Sequence, residues 1–138
     1  MSQPEAKFKR KLIEAFEEVY PDKRNWSALV KGLNRDGVPD LVFHTPLAGA
    51  RARTLWIEAK HADNPCSANQ KLEMWRLRSL GVACGILRCP DISLPKPERA
   101  VYLQRVRAHD RQFSIDLLHY YRWEDLKTKV FWEALFAL

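Results

Sequence analysis
The stretch Gly37-Val38-Pro39-Asp40-Leu41-Val42-Phe43-His44, followed ten residues later by Leu55-Trp56-Ile57-Glu58-Ala59-Lys60, decides the fold. It reads as two short strands joined by a loop. Pro39 has no amide hydrogen to donate, which suits a strand's first residue. Paired as an antiparallel hairpin centred near Gly49, residues 41–44 and 55–60 bring Asp40 opposite 58–60. Strand side chains alternate faces, so Glu58 and Lys60 share one side and Ala59 takes the other. One acid from each strand then converges beside a lysine.

Two neighbouring carboxylates repel, and leaving both ionised and unpaired is costly. A divalent cation removes that cost, and hard oxygen ligands suit Mg²⁺ or Mn²⁺. Asp40, Glu58 and the Ala59 carbonyl are the candidate metal ligands. Such an ion stabilises charge on a phosphoryl oxygen and eases deprotonation of water. Lys60 is placed to orient that water or to neutralise developing charge. Together these groups suit the hydrolysis of a phosphodiester.

The series Gly37-Val38-Pro39-Asp40, then Trp56-Ile57-Glu58-Ala59-Lys60, then Ser67-Ala68-Asn69-Gln70, then Leu80-Gly81 resembles the PD-(D/E)xK, restriction-endonuclease-like nucleases. Within them it is most similar to the VRR-NUC branch and its small stand-alone members. The match covers roughly residues 5–88. The resemblance implies a metal-dependent endodeoxyribonuclease with Asp40, Glu58, Lys60 and Gln70 as catalytic residues. It also implies a first-helix glutamate in the metal site; Glu5 fits that position best, with Glu14 as the alternative. Relatives of this size act on branched DNA, four-way junctions included, as symmetric dimers, so branched DNA and a homodimer are the partners implied.

The chain has 138 residues, enough for one domain with a real core. No apolar run reaches membrane-span length, and Met1-Ser2-Gln3-Pro4 is not a signal peptide, so no membrane association and a cytoplasmic location are expected. Cys66, Cys84 and Cys89 form an odd set without paired spacing, which favours buried thiols over a disulfide framework or zinc. The net charge of +6 favours a polyanionic partner.

In chain order, Phe8, Leu12, Ile13, Phe16 and Val19 predict a helix over 5–19, whose charged residues read as a solvated face apart from the candidate acid. A first strand follows over 26–33, then a turn at Asn34-Arg35-Asp36-Gly37. Lys31 and Arg35 flank that turn. Arg51 and Arg53 lie in the loop 45–54, read as a basic loop beside the metal site. These four bases are the candidate DNA contacts. His44 reads as structural. Ser67 caps a helix over 68–80 and Gly81 stops it. Gln70, Met74 and Leu77 share its sheet-facing side, which brings Gln70 toward the acids. A strand over 82–87 completes an α-β-β-β-α-β core, an order reached from periodicity and turns independently of the motif.

Residues 89–98 read as a linker. Strands follow over 100–106 and 113–118, although 113–121 also admits a helix. A last helix over 124–137 carries Leu126, Val130, Phe131, Ala134 and Leu135 as its apolar stripe. So much apolar surface requires packing on the domain or on a second subunit. The expected whole is a single α/β domain over 1–138: a restriction-endonuclease-like core at about 5–88, with a mixed sheet flanked by helices, and a β-hairpin and helix extension at about 99–138. A non-catalytic nucleic-acid-binding or assembly module on the same fold is the alternative function.

Overall fold
A computed structural model describes residues 3–22, 25–30, 37–45 and 53–138. Helix α1 (Gln3–Val19) buries Phe8, Leu12, Ala15 and Phe16 along one stripe. Strands β1 (Trp26–Leu29), β2 (Leu41–Thr45) and β3 (Arg53–His61) follow. Helix α2 (Ala68–Ser79) leads to β4 (Ala83–Cys89), β5 (Ala100–His109) and β6 (Gln112–Arg122). A 3₁₀ turn (Trp123–Lys127) precedes helix α3 (Lys129–Phe136). The protein is α/β; the described residues form a six-stranded mixed sheet in the order β1-β2-β3-β4-β5-β6 and three α-helices. Only β3 and β4 run parallel, because α2 carries the chain back across the sheet between them.

The β2–β3 register puts Leu41 opposite Ile57 and Thr45 opposite Arg53. That is the hairpin expected around Gly49, with each strand slightly longer than its apolar run suggests. Strand alternation then divides the core. Leu41, Phe43, Leu55, Ile57, Ala59 and Leu87 face α1 and α3 in the larger cluster. Cys84, Ile86 and Val106 face α2 and pack with Cys66 and Met74, while Trp56 and Leu77 close over them. All three cysteines are buried free thiols.

The expected strand over 113–118 is present and longer: β6 pairs with β5, which excludes the helical alternative for 113–121. The C-terminal half departs from expectation at its last helix. The expected helix over 124–137 is broken at Thr128, whose hydroxyl caps α3 by accepting from the Phe131 amide at 3.3 Å. The break resets the helical phase. Phe131, Trp132, Leu135 and Phe136 are buried, whereas Val130 and Ala134 of the expected stripe are exposed. Trp132 packs edge-on to Phe16 at 5.2 Å and against Phe43 at 5.0 Å, so the last helix seals the chain's own core. The first strand ends at Leu29, four residues short of the expected 33; 31–33 and the turn at 34–36 lie outside the described residues. Among the described residues no helix is long and apolar enough to cross a membrane.

Candidate active site
Asp40 sits at the head of β2, one residue before the last β2–β3 pair, and Glu58 sits one residue past that pair on β3. The two acids are therefore cross-strand neighbours at one end of the hairpin. Gly37 fixes the approach to Asp40. Its φ of +88° lies in the left-handed region, and a Cβ there would fall 2.5 Å from the Asn69 carbonyl oxygen and 2.8 Å from the Gln70 nitrogen. The loop before β2 thus presses directly on the first turn of α2.

That first turn is held by a reciprocal cap. The Ser67 hydroxyl accepts from the Gln70 amide at 3.1 Å, and the Ser67 amide donates to Gln70 Oε1 at 2.8 Å. With its oxygen fixed, Gln70 donates through Nε2 to Glu58 Oε1 at 3.0 Å. One residue thus joins the helix start to the acid. Lys60 lies two residues along the same face of β3, with Nζ 3.7 Å from Glu58 Oε1. Both Glu58 and Lys60 are buried. Ala59 pairs with Leu87 of β4, but the β2 ladder has already ended at Ile57, which leaves its other flank without a strand.

Helix α1 contributes two further charges. Glu5 and Lys9 are 5% and 4% exposed, so the solvated-face expectation is wrong for Lys9, while Glu5 is buried at the site as its candidate role requires. The Lys9 ammonium forms an ion pair with Asp40 and lies 4.0 Å from Glu5. Asn64 donates to Glu5 at 3.3 Å. Arg88 holds the loop bearing Asn64 by donating to the carbonyls of Ala62 and Asn64 at 2.9 and 2.7 Å. Glu14, the alternative first-helix acid, is exposed and pairs with Lys11 at 3.2 Å, which leaves Glu5 as the acid of this site. Lys9 is the site residue that sequence reasoning missed. Its signal was present: Glu5, Lys9, Leu12 and Phe16 lie at helical spacing on the stripe that enters the core.

Burial pushes the Glu58 carboxyl up to about 7, and the Asp40 carboxylate adds to the rise; Lys60 and Lys9 oppose it. Asp40 Oδ1 is buried and has no hydrogen-bond partner. Among the described residues no three His, Cys, Asp or Glu side chains are gathered closely enough to hold a metal ion as they stand. The oxygen donors Asp40, Glu58 and Glu5 nevertheless suit a hard dication. The buried, unpartnered Asp40 Oδ1 is a free oxygen donor, and the burial of Glu58 beside Asp40 makes a counter-charge there favourable.

Of the candidate DNA contacts, the one described, Arg53, is not gathered here. Arg53 opens β3 opposite Thr45, at the far end of the hairpin from Asp40. Five residues at about 3.3 Å each put it roughly 16 Å from Glu58, so the expectation of a basic loop beside the acids is corrected for Arg53. Lys31, Arg35 and Arg51 lie outside the described residues. His44 shares a 2.9 Å hydrogen bond with Thr54 and packs on Trp26, a structural role as expected. No protein-family model matches the chain, and no curated protein or solved structure matches it significantly.

Proposed function
We propose that this chain is a Mg²⁺- or Mn²⁺-dependent nuclease that hydrolyses DNA phosphodiester bonds, built on a restriction-endonuclease-like core of the VRR-NUC kind. The carrying observation is the meeting of Asp40, Glu58, Lys60 and Gln70 at one end of the β2–β3 hairpin. The helix-three strands-helix-strand order of the first two thirds of the chain supports the same reading.

Asp40, Glu58 and Glu5 are the side chains that would hold the ion, with the Ala59 carbonyl as a further oxygen. When bound, the ion supplies Lewis-acid stabilisation of charge on a phosphoryl oxygen. The chain's own groups do the rest. Gln70 fixes the rotamer of Glu58 through the 3.0 Å hydrogen bond. Glu58 gives up its proton before it serves as a ligand. Lys60 sets a positive charge where negative charge accumulates as water oxygen bonds to phosphorus and the bridging P–O bond breaks. The products are one phosphate end and one hydroxyl end. Arg53 contacts the DNA backbone away from the reacting bond, and Lys31, Arg35 and Arg51 are further candidate backbone contacts; substitution of one such base lowers the salt slope of binding by about 1. A homodimer presents two such sites to a branched substrate.

One observation favours a second reading, a nucleic-acid-binding module without turnover. The Lys9 ammonium is a protein-borne counter-charge already paired with Asp40. Labelled linear, flap and four-way DNA, incubated with the protein and Mg²⁺ or Mn²⁺, separates the two. Metal-dependent cutting supports the nuclease. Salt-sensitive binding of all three DNAs, with no cutting under either metal, supports the module.

A further inference from the structure
We propose that Lys9 is the site's resident cation: it holds the carboxylates together until a divalent ion binds, and then gives up Asp40 to that ion. This rests on the nuclease reading and adds to it a determinant of metal affinity that the motif residues do not include.

Each of the three site acids, Asp40, Glu58 and Glu5, already has a basic partner within the protein. Lys60 and Gln70 attend Glu58. Lys9 attends both Asp40 and Glu5 from a position 4% exposed to solvent. A buried ammonium there makes the metal-free site foldable, because buried carboxylates without a counter-charge are strongly unfavourable. The same ammonium engages Asp40 through Oδ2, while Asp40 Oδ1 stays buried and unpartnered.

Charge balance gives the direction of the exchange. Among the described residues the fully ionised cluster has three carboxylates and two ammonium groups, one negative charge in excess. A dication added with Lys9 in place leaves one positive charge in excess. A dication added with Lys9 withdrawn leaves the cluster neutral. Burying an excess charge is costly, so metal binding and Lys9 withdrawal are coupled. The movement asks little of the fold. Phe8 and Leu12 anchor the helix on either side, and the four-carbon stem of lysine lets its head swing without them.

The test is calorimetric titration of Mn²⁺ into wild type, Lys9→Gln and Lys9→Arg, with thermal melts in EDTA and in Mn²⁺. Lys9→Gln keeps a donor but removes the competing charge. It is expected to bind Mn²⁺ about tenfold tighter, within the 5- to 150-fold range usual for coupled sites. It is also expected to melt lower than wild type in EDTA and to recover more on adding Mn²⁺. Lys9→Arg, still cationic, is expected to bind no tighter than wild type. Equal affinity in Lys9→Gln and wild type overturns the proposal. If Lys9→Gln does not fold, wild type carries the test: the side-chain ammonium NMR signal of Lys9 should lose its protection from exchange as Mg²⁺ is added, while an unchanged signal at saturation overturns it. If wild type takes up no Mn²⁺, the nuclease reading falls and this inference with it. If wild type binds Mn²⁺ and cuts DNA but Lys9→Gln binds no tighter, this inference falls alone.

Discussion

The Lys9 ammonium of α1 is ion-paired with Asp40 at the head of β2, across 31 residues of chain. The contact ties the first helix to the hairpin at the point where the acids meet. Lys9→Met removes it and leaves Asp40 beside Glu58 with one fewer counter-charge. Stability without metal is expected to fall by about 3 kcal/mol, the lower end for breaking a buried pair from one side. Urea unfolding in EDTA measures this.

Gly37→Ala is expected to damage the site through the backbone. The new methyl meets the Asn69 carbonyl at a residue whose φ is +88°. The nearest atoms, of Asn69 and Gln70, are all backbone, so no side chain can yield there. A loss of about 2–3 kcal/mol is expected, from left-handed strain and overlap together. Any activity should fall with it, because the displaced segment carries Asp40 on one side and Gln70 on the other. Denaturant melts alongside single-turnover rates check both.

Glu58 sets a pH dependence of the metal-free protein. Its carboxyl rises from 4.5 to about 7 on folding, through burial first and the Asp40 charge second, against the opposing charges of Lys60 and Lys9. The folded state therefore holds this proton more tightly than the unfolded state does. As pH rises from about 4.5 to about 7, the unfolded chain ionises first and stability falls; above about 7 the loss is complete. A shift of this size corresponds to at most about 3 kcal/mol. Urea melts between those limits in EDTA should show the decline, and Glu58→Gln should flatten it.

Gln70 serves the helix cap and Glu58 at once. Gln70→Ala should cost about 1 kcal/mol for each of the two side-chain hydrogen bonds. It should also slow cleavage roughly tenfold, a 1.4 kcal/mol effect, by freeing the Glu58 carboxylate. Gln70→Glu can keep the cap, but it sets a like charge against Glu58. It is therefore expected to recover stability at neutral pH less than the cap alone implies. Thermal melts and single-turnover rates on one DNA substrate separate the two roles.

Much of this arrangement is legible in the sequence. The hairpin register follows from two apolar runs either side of Gly49, and the α2 boundaries follow from Ser67 and Gly81. The C-terminal helix misleads because Thr128 is read as an interior residue, whereas its hydroxyl starts a new helix and shifts the buried face. Lys9 hides for a related reason. A lysine on an amphipathic helix ordinarily reads as solvated, and the place of Lys9 on the stripe of Leu12 and Phe16 is the one signal against that reading. Arg53 shows the opposite error. The register that brings 40 and 58 together carries Arg53, opposite Thr45, to the other end of the pair, so it cannot also flank the acids.

The most direct measurement is cleavage of a labelled four-way junction and its linear control in Mg²⁺ or Mn²⁺, comparing wild type with Asp40→Ala and Lys60→Ala. Wild type is expected to cut only with metal. Asp40→Ala should be inactive, and Lys60→Ala should be slowed about 100-fold or more, as when one stabiliser of transition-state charge is removed. Equal cutting by all three proteins, or cutting by wild type that survives excess EDTA, would contradict a site built on Asp40, Glu58 and Lys60.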